Sequence, residues 1–333
     1  MSIDHSNELP IWTYREAIRN ALIDEMKSDD SIVLLGEDIG HAGGPFKVTE
    51  GLIDLFGAHR VLDTPIAETG ITGTAIGMSI TGLRPIAEIM FADFLAVCSD
   101  QIINSMAKYR YMSAGQVSLP IVIRTAGGGG ARFAAQHSQT GESWFIQFPG
   151  LKIVMPSNPH DAYHLTRGSI RDNNPVILYE HKVLYSQKGA VDVTKVADQE
   201  LGKAKVCKAG QHVTLVATMA MVDKALRASE QLEQLGISAE VIDLRCLKPL
   251  DIETVLESVR KTNYLITVEE QHAAGGWGGD IVSLVVDQAF DYLDAPPKRI
   301  TLPDAPLGFS PILEDAAIPS PEKIVRVVQA LLA

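Results

Sequence analysis

The sequence predicts an α/β protein built from two parallel-sheet domains. Short continuous apolar runs alternate with amphipathic stretches of helical period, the pattern of parallel strands covered on both faces. This alternation stops between about Tyr185 and Gly202, where Gln187, Lys188, Gly189 and Asp192 dominate, and then starts again. With 333 residues, the chain is long enough for two domains of ordinary size. The expected division is a first domain at 1–186, a linker at 187–203 and a second domain at 204–333.

The elements follow in order. Thr13-Tyr14-Arg15-Glu16 reads as a capping box. Tyr14, Ala17, Ile18, Ala21, Leu22 and Met26 then keep helical spacing. Residues 32–36 form a buried strand that ends at Glu37-Asp38. A glycine-rich loop (Gly40, Gly43, Gly44, Pro45) leads to a helix over 49–56. Residues 61–63 are a short strand feeding Thr64-Pro65-Ile66-Ala67-Glu68. The helix expected after Glu68 carries Gly70, Gly73 and Gly77 on one face. Each helical glycine costs about 1 kcal/mol against alanine, so such a face implies close approach of a ligand or a second helix backbone. Strands are expected at 84–90, 119–125, 151–155 and 175–180, with helices at 100–112 and 159–171. The second series has strands at 212–217, 239–244, 264–269 and 298–302, and helices at 222–235, 251–262, 278–292 and 321–332.

Composition narrows the function. The chain is 46% hydrophobic and 21% charged, with a net charge of −12. Neither a nucleic-acid phosphate surface nor an anionic membrane matches that charge. No run of about 18 uncharged apolar residues exists to span a membrane. The three cysteines, Cys98, Cys207 and Cys246, are far apart and form no CxxC, so a reducing, cytoplasmic setting is expected. Met1-Ser2-Ile3-Asp4-His5 shows no signal peptide.

Four candidate features remain. Glu68 lies between an apolar segment and a run of small residues; it is either a helix-end acid or a buried general acid raised by desolvation. His137 follows Gly127-Gly128-Gly129-Gly130 and Ala134-Ala135 in a loop shaped around something. Met90 and Phe94 sit at the C-terminal end of a parallel strand, where α/β sheets bind ligands. The turn Ile170-Arg171-Asp172-Asn173-Asn174-Pro175 offers oxygens to a hard monovalent cation. The glycine run also follows a strand as a dinucleotide fingerprint does, but Arg132 stands at its third required position.

Together these motifs resemble the β subunit of the E1 component of thiamin-diphosphate-dependent 2-oxo acid dehydrogenase complexes, over nearly the whole chain. The resemblance is carried by Leu35-Gly36-Glu37-Asp38, Asp63-Thr64-Pro65-Ile66-Ala67-Glu68, Gly82-Leu83-Arg84-Pro85, Asp100-Gln101-Ile102-Ile103-Asn104, Ala134-Ala135-Gln136-His137-Ser138-Gln139, Pro149-Gly150-Leu151-Lys152, Arg171-Asp172-Asn173-Asn174-Pro175 and Asp243-Leu244-Arg245. It implies a thiamin diphosphate pyrimidine-binding domain followed by a transketolase C-terminal-like domain. It implies an E1 α subunit in an α2β2 heterotetramer, holding Mg2+ and the diphosphate through a Gly-Asp-Gly motif. This chain has no such motif; Gly279-Asp280-Ile281 comes nearest. It implies that Glu68 shares a proton with N1′ of the cofactor, that Met90 and Phe94 pack on the pyrimidine, and that His137 assists acyl transfer to a lipoyl group of an E2 acyltransferase. It also implies a structural potassium site at Ile121, Ser169, Ile170, Asp172 and Asn174, where Ser169 replaces a common alanine but backbone carbonyls do the work.

Substrate identity is less sharply drawn. Phe91-Ala92-Asp93 has a branched-chain flavour, whereas Val97-Cys98, Tyr111-Met112 and the alanines before Gln136-His137 look more like pyruvate or acetoin enzymes. Pyruvate is favoured, with acetoin next. Two rivals come from other classes: a self-contained NAD oxidoreductase, and a non-catalytic scaffold whose glycine face docks a partner helix.

Overall fold

The structure, a computed structural model, describes residues 9–333, without the side chains of residues 197 and 198. The signal-peptide expectation rests on the first five residues and falls outside the described ones.

The chain opens with β1 (Ile11–Thr13) and runs directly into α1 (Tyr14–Ser28). The capping box forms: Thr13 Oγ1 accepts the Glu16 N–H, and the Glu16 carboxylate accepts the Thr13 N–H at 2.7 Å. Tyr14, Ala17, Ile18, Ala21, Leu22 and Met26 are all buried. Then come β2 (Ile32–Gly36), α2 (Leu52–Phe56), β3 (Val61–Asp63), α3 (Glu68–Ile80), β4 (Arg84–Phe91), α4 (Tyr109–Met112), β5 (Val122–Gly127), β6 (Lys152–Val154), α5 (Pro159–Arg171), β7 (Val176–His181) and β8 (Lys188–Ala190). The second half contains β9 (Lys205–Lys208), β10 (Val213–Ala217), α6 (Ala220–Gln234), β11 (Ala239–Asp243), β12 (Cys246–Lys248), α7 (Ile252–Thr262), β13 (Leu265–His272), α8 (Gly278–Ala289), β14 (Lys298–Leu302), α9 (Pro311–Ala317) and α10 (Pro321–Leu332).

Two main sheets result. A seven-stranded sheet has the order β12-β6-β7-β5-β4-β2-β3, and a five-stranded sheet has the order β14-β13-β10-β11-β9. Each is parallel except at one edge, where β12 and β9 run antiparallel to their neighbours.

The sequence expectation does not include β1, β9 or α9, and it differs from the structure in three further places. The expected helix over 100–112 is a π-helical segment at Gln101–Met106 followed by the short α4. The Ala107 N–H donates to Ile102 O at 2.9 Å, five residues back. Ile102 and Met106 are buried in that geometry too, so apolar spacing does not separate the two. The expected linker contains β8, which pairs antiparallel with β1. That ribbon has no apolar period because its ladder is backbone only and Lys188 and Ala190 are exposed. Finally, β12 comes from the second half of the chain but joins the first sheet beside β6, with the Met155 N–H donating to Arg245 O at 2.7 Å.

Register then lines up the strand ends. Gly36 pairs with Glu88, Phe91 with Ala126, and Gly127 with His181. The segments leaving β2, β4, β5 and β7 therefore emerge side by side. Beneath them, Arg124 on β5 is buried between Glu180, at 2.7 Å, and Glu88, at 2.8 Å, and Tyr185 donates to Glu180 at 2.7 Å. This ion cluster ties three adjacent strands together below the rim.

Candidate active site

The rim is built by segments that have left the ladder. Past β3, the Asp63 carboxylate accepts the Gly40 N–H at 2.6 Å, holding the two loops together. The chain then turns, and Glu68 is the first residue of α3, with Ala67 giving no side-chain cap. Glu68 is half-buried in this chain, so it stands at a helix end, as one expectation had it, and is not enclosed by the described residues, as the other required. The reason is local: Ile66 is 74% exposed, and Thr69, Gly70, Gly73 and Gly77 are exposed along the same side of α3. A side-chain carbon built at Gly73 or Gly77 would meet nothing within 4 Å. The glycine face is thus open, and none of the described residues makes the expected close approach to Gly73 or Gly77. Burial raises the pKa of the neighbouring Glu37, and the charges of Asp38 and Glu68 raise it further. The acid at the head of α3 therefore belongs to a small acidic group.

The second wall is aromatic. Met90 and Phe94 are half-buried at the end of β4 and in the 3-10 turn Ala92–Ala96 that follows. Thr69 Oγ1 donates to Val97 O at 3.1 Å, fastening the start of α3 to the segment that carries Phe94. The His137 ring packs edge-on against Phe91, with centroids 4.7 Å apart, and against Phe94 at 5.4 Å. Phe46 and Phe133 extend the cluster. The structure thus joins His137 to the Met90–Phe94 segment, which is distant in sequence. Asp93 helps to fix that contact: its Oδ1 accepts the Gln139 N–H at 3.2 Å, and burial pushes its pKa upward.

In the glycine run between β5 and His137, the N–H groups of Gly129 and Gly130 are occupied by carboxylates of the second domain. Glu270 Oε1 accepts the Gly129 N–H, and Glu314 Oε1 accepts the Gly130 N–H at 2.8 Å. A phosphate cradle would need those donors free. Burial raises the Glu270 pKa, but the charge and hydrogen bond of His181 and the Gly129 N–H outweigh it, leaving Glu270 below its ordinary value. Next to it, Lys182 is buried, and its Nζ has no hydrogen-bond partner among the described residues. It lies 5.8 Å from the ring centres of Phe91 and Phe133. Burial lowers its pKa to about 8 despite the nearby charges of Asp93, Glu270, Glu314 and Glu142. Glu142 accepts from the Gln271 amide, and burial lifts its pKa to about 7. Sequence reasoning missed Phe91, Lys182, Glu142, Glu270 and Glu314. For Lys182 and Glu270 one signal was available: each lies at the C-terminal end of a parallel strand.

The proposed potassium residues surround a single turn. Ile170 O and Asp172 O both accept from the Arg84 guanidinium, at 2.6 and 2.8 Å, and Ile121 O accepts the Val176 N–H at 2.9 Å. The Asp172 carboxylate is taken by Lys152 and by Asn174, and the Asn174 side-chain oxygen by Arg110. Ile170 O accepts from both Nε and Nη2 of Arg84, so a cation there would compete with the guanidinium.

A pair of parallel-sheet domains, with an acid, an aromatic wall and a histidine at the strand ends of the first, defines the transketolase class. Residues 12–188 match the transketolase pyrimidine-binding domain, and residues 202–324 match the transketolase C-terminal domain. The chain belongs to this family, in the branch formed by pyruvate dehydrogenase E1 and acetoin oxidoreductase β subunits. It is 46% identical over 329 residues to the β subunit of acetoin:2,6-dichlorophenolindophenol oxidoreductase from Bacillus subtilis (strain 168), covering 95% of this chain and 96% of that protein. It is 44% identical to the pyruvate dehydrogenase E1 β subunit of Rhizobium meliloti (strain 1021), covering 99% of this chain and 72% of that one. The mitochondrial pyruvate dehydrogenase E1 β subunit of Caenorhabditis elegans is also 44% identical, with 96% and 92% covered. A solved split-gene transketolase, titled an inactive β4 tetramer, superposes with a TM-score of 0.79 at 26% identity, over 96% of this chain and 98% of that one.

The side chains present fit one half of thiamin diphosphate. An aminopyrimidine needs a carboxylate and flat apolar contacts, and Glu68, Met90 and Phe94 are each half-buried, so they are reachable on the rim. A diphosphate with Mg2+ needs a metal-binding cluster. Among the described residues no group of three or more His, Cys, Asp or Glu side chains could hold a metal ion.

Proposed function

We propose that the chain is the β subunit of a thiamin-diphosphate-dependent 2-oxo acid dehydrogenase E1, with pyruvate the favoured substrate. Its reaction is oxidative decarboxylation coupled to reductive acylation of a lipoyl domain on an E2 acyltransferase, which makes it an oxidoreductase with a disulfide acceptor. The observation that carries this is the gathering of Glu68, Met90, Phe94 and His137 on one rim, beside an open glycine face. When bound, the cofactor supplies the electron sink for decarboxylation. Glu68 holds the proton shared with N1′. Met90 and Phe94 orient the pyrimidine by packing. His137, fixed edge-on by Phe91 and Phe94, moves a proton during acyl transfer.

The half-exposed Glu68 and the open face of α3 support a site completed by an E1 α subunit in an α2β2 assembly, with Mg2+ held mainly by that partner. Acetoin is the second reading, supported by the 46% identity to an acetoin oxidoreductase β subunit. The domain division at 186 and 204 is close to the matched limits of 188 and 202. Potassium at the 170–174 turn is a secondary proposal, tested by whether K+ raises the thermal midpoint above that in Na+. No described helix is long and apolar enough to cross a membrane. The free cysteines Cys98, Cys207 and Cys246 support a reducing compartment such as the cytoplasm.

Co-expression with an α subunit tests the reading. Decarboxylation of a 2-oxo acid, read with a dye acceptor, should require thiamin diphosphate and Mg2+. Activity from the isolated chain, or tight NAD binding by it, would overturn the assignment.

A further inference from the structure

The loop that carries His137 is strained, and the second domain holds it. Arg132 and Ala134, with φ of 65° and 59°, lie in the left-handed region. Each such residue costs about 1–2 kcal/mol when it is not glycine. Backbone of this kind persists where surrounding contacts over-determine it. Here the contacts come from three directions. Glu314 accepts from the Gly130 N–H at 2.8 Å, from the Arg132 N–H at 3.3 Å and from the Arg132 guanidinium, which also donates to Asp315 at 2.9 Å. Glu270 accepts the Gly129 N–H, and its backbone carbonyl accepts from Thr140 Oγ1 just past the loop. The loop closes on itself where the Gly128 N–H donates to Gln139 O at 3.3 Å. Both carboxylates are buried, Glu314 at 0% exposure, and the partly exposed Arg132 adds a charge-assisted hydrogen bond to Glu314, the stronger kind.

We propose that Glu314, with Glu270, is a positioning residue for His137: the second domain sets the active-site loop of the first. The inference rests on the role given to His137 above. Release of Glu314 frees Gly130 and Arg132, the strain relaxes, and the His137 ring leaves its edge-on seat against Phe91 and Phe94. Misplacement of a reacting group by about 1 Å can cost on the order of 10²-fold in rate. The α9 helix that bears Glu314 has no other charge buried among its residues.

The test uses the α/β complex with a lipoyl domain and compares wild type, Glu314→Ala, His137→Ala and the double variant. Glu314→Gln is the conservative replacement, which keeps one acceptor for Gly130. Two readouts are taken: the rate of acyl transfer to the lipoyl domain, and the rate of tryptic cleavage after Arg132 in the assembled complex. Expected are a loss of acyl transfer in Glu314→Ala of about 10²-fold, faster cleavage at Arg132, partial recovery of both in Glu314→Gln, and no further loss when Glu314→Ala is added to His137→Ala. Equal losses from Glu314→Ala with and without His137 would overturn the proposal, as would unchanged acyl transfer. If Glu314→Ala does not assemble, Glu314→Gln is carried through the same cycle and decides the question alone. Unaltered acyl transfer in His137→Ala would instead defeat the role of His137, and the proposal with it.

Discussion

Gly128 has a φ of 84°, and a Cβ there would lie 2.5 Å from His181 Cδ2. Gly128→Ala therefore carries two costs. An L residue in the left-handed region adds about 1–2 kcal/mol. Clearing the Cβ also forces the buried His181 ring away, and its 3.0 Å hydrogen bond to Glu270 is lost. A hydrogen bond to a charged group is worth about 1.5–3 kcal/mol. Together the substitution should destabilise the first domain by about 2.5–5 kcal/mol. Urea unfolding of the isolated chain, followed by tryptophan fluorescence, reads this directly. Gly128→Ala introduced into a His181→Ala background separates the two costs, because its difference from His181→Ala alone leaves only the backbone term. A loss under about 1 kcal/mol in Gly128→Ala would refute both the strain and the steric argument.

Gly73→Ala should have the opposite sign in the isolated chain, a gain of about 0.5–1 kcal/mol, because a side-chain carbon there meets nothing within 4 Å. The same variant should weaken assembly with the α subunit if the glycine face is a docking surface; native mass spectrometry reads the loss of heterotetramer. Arg124→Met should cost about 3–5 kcal/mol, since it strands the buried Glu180 and the half-buried Glu88 carboxylates without their counter-charge; chemical denaturation checks it. Glu142 concerns pH. Its folded pKa, lifted to about 7 by burial, lies above the ordinary carboxylate value. The folded state then binds more protons than the unfolded one between those two values, so Glu142 makes stability fall as pH rises through that window. Glu142→Gln should flatten this part of the stability–pH profile, and an unchanged slope would assign it to other groups.

Much of the first sheet was legible because its strands are continuous apolar runs and its helices carry capping residues such as Thr13 and Asn158. Helix α5 and strand β14 fall where the pattern put them. The edges were not legible. Strand β8 pairs through its backbone with polar residues outward, and β12 is three residues long and pairs with a strand more than ninety positions earlier, β6. Local periodicity contains neither fact. The same division holds at the site. Glu68, Met90, Phe94 and His137 sit in segments with a strong composition signal, so they could be picked out singly. Their surroundings could not. That Phe91 and Phe94 seat His137, that Lys182 lies buried beneath Phe91 and Phe133, and that Glu270 and Glu314 hold the glycine run are consequences of domain packing. The glycine run shows the gap most clearly. Its place after a strand invited comparison with a dinucleotide fingerprint, which Arg132 already failed, and only the packing reveals carboxylates on the N–H groups of Gly129 and Gly130.

The rim's central claim is that Glu68 activates a cofactor shared with another chain, and its most direct test is Glu68→Gln in the assembled α/β complex. The substitution keeps shape and one acceptor while removing the proton-sharing carboxylate. Thiamin-diphosphate-dependent, dye-linked decarboxylation of pyruvate should fall by about 10²–10⁴-fold, the range for loss of a positioned acid–base group, with the heterotetramer intact by native mass spectrometry. A rate near that of wild type in an intact complex would contradict it.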